Sequence, residues 1–243
     1  MLEVDGFILT ETLYGETSKI IHVLTKDYGV IGVMCKGVNS MKSVQRAVTL
    51  KYTCAHFVIY YKKDKLSILK SADVIDPLKK IRGDLLLISV LTYISELTYQ
   101  VMKQSLGKDV YENFVETVLK LEAGLDPVVL VNILEIKYLK ELGVLFNLDE
   151  CVMCGNKTSI VAISSDKGGY ICQNCYTNEV LASKKIIQML RMYYYVNIKS
   201  ITDLKIDKDT KKMIHLFLED YYERYTGLYL NSKKFLKTML DFD

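Results

Sequence analysis

The sequence predicts an α+β chain: a small five-stranded β-barrel first, then a helical stretch interrupted by a four-cysteine metal ribbon. Three observations carry this expectation. Through the first 75 residues, short β-rich runs are separated by turn residues. From Asp76 onward, apolar positions recur at steps of three and four. Inside the helical stretch, Cys151, Cys154, Cys172 and Cys175 form two CxxC pairs separated by 17 residues.

The first run, residues 6–13, ends in the turn Tyr14-Gly15-Glu16-Thr17. A second, 19–25, precedes the turn Asp27-Tyr28-Gly29, and a third, 30–36, stops at Gly37. After a long connection come the fourth and fifth runs, 53–61 and 65–74. Five short strands with a long third connection suit a barrel of the oligonucleotide-binding (OB) type, although spacing alone leaves other small barrels open. Cys35 and Cys54 fall inside strand runs, as small core residues do.

Asp76-Pro77 predicts a helix start, with an N-cap carboxylate and proline at the first helical position, and Asp126-Pro127 repeats the device. Residues 85–102 and 111–121 have helical periodicity. The helix after Asp126 carries Val128, Leu130, Val131, Leu134, Tyr138 and Leu142 and stops at Gly143. Three further helices are expected over 186–196, 210–225 and 232–240. The chain has no internal repeat and only two prolines, so no proline-rich linker parts its halves, which should pack closely. The apolar stretch 85–94 is half the length needed to cross a bilayer core of roughly 30 Å and predicts a buried helix. An acidic start, Met1 to Asp5, lacks the layout of a secretory signal, so a soluble cytosolic protein is expected, with no membrane partner.

In that compartment disulfides are rare, and the cysteine spacing predicts a zinc site, each pair offering two sulfurs from a tight turn. Four thiolates leave no open position for substrate, so one structural Zn²⁺ is expected; the alternative, two metal-free redox pairs, needs a different surrounding fold.

The composition, 50% hydrophobic and 25% charged, excludes a disordered, collagenous or disulfide-scaffold chain. The net charge of +3 conceals a division: residues 1–80 carry +4, residues 81–150 carry −5 and residues 151–243 carry +4. Lys36, Lys42, Arg46 and Lys51 lie in or beside the long third connection, and Lys62, Lys63 and Lys65 crowd the turn between the last two strands. In an OB-type barrel these segments border the groove that takes a nucleic-acid strand. Tyr52, Phe57, Tyr60 and Tyr61 are interleaved with them; alternation puts Tyr60 and Tyr61 on opposite faces, so one at most can stack on a base from there. The tyrosines of 193–195 and 221–225 sit at helical spacing as packing residues. His22, His56 and His215 are scattered and belong to no HExxH, phosphate-loop or nucleophile-elbow motif. A Ser/His/Asp site could still form in space, but nothing in the residues favours it, and each histidine is expected to pack or lie at the surface.

The layout resembles the RecO family of bacterial recombinational repair proteins. The run from Leu9 through Ile21, Leu-Thr-Glu-Thr-Leu-Tyr-Gly-Glu-Thr-Ser-Lys-Ile-Ile, is similar to that family's opening strand, turn and second strand. Thr25-Lys26-Asp27-Tyr28-Gly29 followed by Lys36-Gly37, the cysteine ribbon in a helical setting, and the closing Leu230-Asn231-Ser232-Lys233-Lys234-Phe235-Leu236 agree with it in order. The resemblance implies an OB domain over 1–78 and a helical domain over 79–243, with a zinc ribbon inserted at 149–178. It implies a non-catalytic mediator of homologous recombination and repair, cytoplasmic and nucleoid-associated. Such a protein binds single-stranded DNA, anneals complementary strands and helps load RecA onto strands coated by single-strand-binding protein (SSB). RecR, RecF and the acidic SSB carboxy-terminal tail are the implied partners, with Lys184, Lys185, Lys211 and Lys212 as candidates to meet that tail. Where the family carries an arginine-rich loop, residues 38–46 keep only Lys42 and Arg46, which shifts weight to Lys62, Lys63 and the carboxy-terminal lysines. A zinc-ribbon module binding RNA or associated with transcription, and an enzyme with an unrecognised site, are the rival readings.

Overall fold

The computed structural model describes residues 1–104, 107 and 109–240, which form two compact units. One comprises Met1–Val115 with Ser232–Met239; the other is built from Glu116–Asn231.

The first unit is built on strands β1 (Leu2–Tyr14), β2 (Ser18–Thr25), β3 (Gly29–Cys35), β4 (Cys54–Tyr60) and β5 (Ser67–Asp76). They close in the order β1-β2-β3-β5-β4, with β1 pairing β4 and β3 running parallel to β5 through Val33↔Ser67 and Met34↔Ile68. This is the topology of an OB-type barrel. β1 is longer than its sequence run because Leu2 to Phe7 pair with β4 while Gly6 to Tyr14 pair with β2. A register shift between Ile8 and Thr10 lets one strand bend to serve both neighbours. Gly6 sits at the crossing, where a Cβ would lie 2.4 Å from Val23 Cγ1 and 2.9 Å from the Leu24 carbonyl oxygen.

Alternation sends Ile8, Ile21, Val23, Ile31, Val33, Phe57 and Ile59 into the barrel, each almost wholly buried. Each such side chain contributes roughly 1.5–3 kcal/mol on leaving water. Residues 36–53, although irregular, add Val38 and Val48 to the same core. This connection is tied down at several points: Asn39 N–H donates to the Thr17 carbonyl at 2.8 Å, the Gln45 amide oxygen accepts from Ala72 N–H at 2.8 Å, and Tyr52 N–H donates to the Ile8 carbonyl at 3.0 Å.

Asp76-Pro77 does not start a helix. β5 runs to Asp76, whose carboxylate accepts from Leu78 N–H at 2.8 Å, and Leu78 takes a left-handed conformation (φ 48°) that buries its side chain. An Asx turn has captured the carboxylate that an N-cap would have used. The short helix α1 (Lys79–Arg82) follows, and then α2 (Leu85–Gln104), which Asp84 caps by accepting from Leu87 N–H at 3.0 Å. Among the described residues α2 is the one helix long and apolar enough to cross a membrane. Here its apolar residues, among them Val90, Leu91, Ile94, Leu97 and Val101, are buried, and the helix packs on β1 and β3. The helix α3 (Asp109–Ala123) brings Phe114 edge-on to Phe7, ring centroids 4.9 Å apart. At the far end of the chain, Ser232 N–H donates to Glu96 of α2 at 2.8 Å, and α7 (Lys233–Leu240) buries Leu236.

In the second unit α4 (Pro127–Glu141) is the central helix, apolar nearly all round and therefore buried nearly all round. Asp126 is its N-cap, accepting from Val128 N–H and Val129 N–H at 3.0 and 3.1 Å, as the sequence predicts. Gly143 (φ 72°) lets the chain leave, Val144 N–H reaching back to the Leu139 carbonyl at 3.0 Å. Helices α5 (Lys184–Tyr195) and α6 (Lys208–Tyr225) pack on α4 and on each other. Tyr193, Tyr221 and Tyr222 are buried there, and the Tyr222 hydroxyl donates to the Glu135 carbonyl at 2.8 Å. A second sheet, ordered β6 (Asn147–Cys151), β8 (Gly169–Cys172), β7 (Ile160–Ser164), β9 (Val180–Leu181), carries the four clustered cysteines on or beside its strands.

Candidate nucleic-acid interface and metal centre

The β7–β8 hairpin brings the two CxxC pairs together. In the first pair the turn is closed by Gly155 N–H donating to the Cys151 carbonyl at 2.8 Å, with Gly155 at φ 73° where a side chain would be strained. In the second, Cys175 N–H donates to the Cys172 carbonyl at 3.1 Å. Gly169 lets β8 lie against β6: a Cβ there would fall 2.4 Å from the Asn147 carbonyl oxygen. All four sulfurs lie within 4.8 Å of one another, and Cys154 Sγ is 3.7 Å from Cys172 Sγ. A tetrahedral ion with metal–sulfur bonds of about 2.3 Å requires sulfur–sulfur edges of about 3.8 Å, so the donor set fits a closed four-thiolate metal site. Burial pushes the Cys151 thiol up, but the backbone amides of Cys172, Met153 and Cys154 outweigh it and hold it down to about 6. Within the same cluster the Cys154 thiol is raised, and hydrogen bonding to Cys154 pushes Cys175 up to about 12. In the barrel, burial pushes Cys35 and Cys54 up to about 12 and about 11.

The residues predicted to meet DNA fall in three places on the barrel. Lys36 leaves β3 beside the β1–β2 turn, where Gly37 N–H donates to Ser18 Oγ at 3.1 Å. Lys42 and Arg46 are exposed on the 36–53 connection, and Lys51 lies over the Tyr52 ring, 4.8 Å from its centroid. Lys62, Lys63 and Lys65 stand exposed on the β4–β5 turn, a tight reversal with Asp64 at φ 56°. None of these seven cations forms an ion pair among the described residues. Tyr60 ends β4 half exposed.

Beside the β4–β5 turn lies a depression of about 440 Å³, lined by His22, Tyr28, Gly32, Tyr61, Lys62, Lys65 and their neighbours. Tyr61, rather than Tyr60, lines it, and His22 joins it from β2 and Tyr28 from the β2–β3 turn. Sequence reading missed these two because three separate segments supply the walls; the signal present was the tyrosine directly before the turn glycine Gly29. His22 Nδ1 is hydrogen-bonded to Thr10 Oγ1 at 2.9 Å, and its ring meets Tyr99 of α2 at 5.1 Å. Burial, with the Lys103 ammonium adding to it, lowers the His22 pKa. Strands β1, β4 and β5 carry an acidic cluster: His56 on β4 holds Asp5 of β1 at 2.7 Å, with Asp73 of β5 across from it in register. The side-chain hydrogen bond to Asp5 and the carboxylates of Glu3 and Asp73 raise the His56 pKa.

The four lysines considered for an acidic peptide are differently placed. Lys185 is paired with Asp207 and Lys211 with Asp126, while Lys184 is exposed. Lys212 lines a cavity of about 620 Å³ floored by Ile163, Val180, Met213, Leu216 and Phe217. Asp166, Glu179, Asp209 and Asp220 outnumber Lys167 and Lys212 on its rim, which disfavours an acidic occupant.

Fold and site together define a class: an OB-type barrel protein whose helical segment carries a four-cysteine cluster able to hold a metal ion. Residues 1–78 match the family described as Recombination protein O N terminal, and residues 82–234 match Recombination protein O C terminal. DNA repair protein RecO of Bacillus pumilus (strain SAFR-032) is 31% identical over 243 residues, covering 98% of this chain and 94% of that protein. DNA repair protein RecO of Listeria monocytogenes serotype 4b (strain CLIP80459) is 28% identical, over 98% of this chain and 95% of its own. DNA repair protein RecO of Halalkalibacterium halodurans is 28% identical, over 96% and 93%. The chain belongs to the RecO family, and its role lies in DNA repair and recombination.

Proposed function

We propose that this chain is a non-catalytic mediator that binds single-stranded DNA on its barrel, anneals complementary strands and helps load RecA onto SSB-coated DNA together with RecR and RecF. The observation that carries this reading is the set of seven unpaired cations on the 36–53 connection and the β4–β5 turn of an OB-type barrel, Lys36, Lys42, Arg46, Lys51, Lys62, Lys63 and Lys65. Cations without carboxylate partners are available to phosphates, and each phosphate neutralised releases a counterion and lowers the repulsion between two strands being paired. Binding of this kind follows the backbone without reading sequence, as annealing requires.

The functional division is proposed at residue 78, with 1–78 holding DNA and 79–243 docking partners. The metal is proposed to be one structural Zn²⁺ on Cys151, Cys154, Cys172 and Cys175, fixing the ribbon of 149–178. The acidic SSB tail is a proposed partner whose seat lies outside the carboxylate-rimmed cavity on α6. The chain is expected to work in the cytoplasm at the nucleoid. The test mixes complementary strands coated with SSB and follows duplex formation at low salt. Acceleration by this protein, weakening as salt rises, is expected; no acceleration, or binding to structured RNA in preference to single-stranded DNA, overturns the reading.

A further inference from the structure

We propose that the groove between α6 and the β7–β9 face of the second sheet docks a segment of a partner protein, one that presents an apolar side chain flanked by lysine or arginine. The inference is independent of the single-stranded DNA reading, because none of its residues belongs to the barrel.

Two surfaces of one compact unit form the groove. On α6, Asp209, Lys212, Met213, Leu216, Phe217 and Asp220 recur at helical spacing and so share one face. Opposite stand Ile163 and Val180, paired across β7 and β9. The space between them is about 620 Å³, within the range of pockets that seat a ligand or an anchoring side chain. Phe217 is a firm floor, since Phe146 meets it edge-on with ring centroids 5.1 Å apart.

The frame is held in place without a guest. Ser165 Oγ donates to the Asp220 carboxylate, Arg224 Nε donates to the same group at 2.9 Å, and the Tyr225 hydroxyl donates to the Asp166 carbonyl at 2.7 Å. These bonds pin the β7–β8 turn to α6. Ala182 N–H, donating to the Val161 carbonyl at 2.9 Å, holds the end of β9 on β7. A groove preorganised in this way loses little freedom when it is filled. Its apolar rim is uncovered: Val180 is 59% exposed and Leu216 45%, against 9% for Phe217 beneath them. Covering such a patch removes apolar surface from water.

Charge decides what covers it. Asp166, Glu179, Asp209 and Asp220 line the groove against Lys167 and Lys212. Lys167 is paired with Glu179, and Arg224, outside the lining, is shared by Asp166 and Asp220. Even with Arg224 counted, four carboxylates face three cations, and Asp209 has no partner among the described residues. A guest with a cation beside its apolar anchor relieves that excess, whereas an acidic peptide adds to it.

The test measures fluorescence anisotropy with full-length protein and a labelled peptide, Gly-Ser-Lys-Leu-Phe-Lys-Ser-Gly. Two relatives replace either both lysines by glutamate or both apolar residues by alanine, and each replacement should weaken binding roughly tenfold. L216S should weaken the lysine peptide by about the same factor. D209K should weaken the lysine peptide about fivefold and strengthen the glutamate peptide similarly, a reversal that loss of stability does not produce. Both positions are exposed, so melting temperature and affinity for single-stranded DNA should match the wild type. Three results overturn the docking site and leave the DNA reading standing: no binding of the lysine peptide, equal or tighter binding of the glutamate peptide, or wild-type affinities in both L216S and D209K.

Discussion

Two basic regions of this molecule have the same formal excess and different chemistry. Residues 1–80 and 151–243 each carry +4, yet their cations are disposed differently. In the helical unit Lys167 is paired with Glu179, Lys185 with Asp207, Lys211 with Asp126, and Arg224 with Asp166 and Asp220. On the barrel, the seven cations of the 36–53 connection and the β4–β5 turn have no carboxylate partner among the described residues. A cation already compensated by a neighbouring carboxylate has little left to offer a phosphate; an uncompensated one on a turn has its full charge. Neither region is uniform, since Lys19 and Lys26 are paired with Glu11 and Glu112 while Lys157, Lys184, Lys199 and Lys208 have no carboxylate partner among the described residues. What sets the barrel apart is that its unpaired cations gather on the 36–53 connection and the β4–β5 turn.

That contrast can be sharpened by substitutions whose effects should fall on one region only. The largest effect is expected at the metal centre. C172S removes one buried sulfur of the proposed metal site and should cost on the order of 4 kcal/mol, with the metal content read by elemental analysis falling and the melting temperature lowered. The barrel should retain its β-sheet circular dichroism. Next, D126A removes at once the α4 N-cap and the Lys211 partner. A stability loss of roughly 1–2 kcal/mol is expected by urea unfolding, with affinity for single-stranded DNA unchanged. A smaller effect, in the opposite direction, is expected on the barrel. D64N removes the carboxylate at the β4–β5 turn and keeps a residue tolerant of the left-handed backbone. Affinity for single strands should rise by about two- to threefold at low salt, with the gain vanishing at high salt.

The smallest effect concerns pH. Because the folded His22 pKa lies below its ordinary value, the unfolded chain binds the proton more readily, and stability falls as pH drops through 6.5 toward the folded value. H22Q should flatten that acid limb. His56 has the opposite sign: its raised folded pKa contributes stability that is complete below 6.5 and lost as pH rises through the folded value. H56Q should remove that second slope. Urea midpoints measured from pH 5 to pH 8 separate the two.

The parts of this structure legible in the sequence are those set by local chemistry. Strand ends were marked by Gly15, Gly29 and Gly37, all of which adopt positive φ. The clustering of Cys151, Cys154, Cys172 and Cys175 followed from their spacing, and the α4 start from Asp126-Pro127. Asp76-Pro77 looked identical and behaved differently, because burial of Leu78 drew the chain into a turn before a helix could begin, and Asp84 became the cap instead. The depression on the barrel was not legible. It exists only where Tyr28, Gly32 and Tyr61 converge, and period-two alternation at Tyr60 and Tyr61 cannot say which ring meets a turn from another hairpin.

The central claim, that the unpaired lysines of the β4–β5 turn hold single-stranded DNA, is tested most directly by the salt dependence of binding. Affinity of the wild type, of K62A/K63A/K65A, and of K185A/K211A for the same oligonucleotide would be measured across a salt series. The barrel variant should bind more weakly and lose about 2 units from the slope of log K against log salt, at roughly 0.7 per phosphate contact, while the helical-unit variant keeps the wild-type slope. Equal slopes for the wild type and K62A/K63A/K65A would contradict the account.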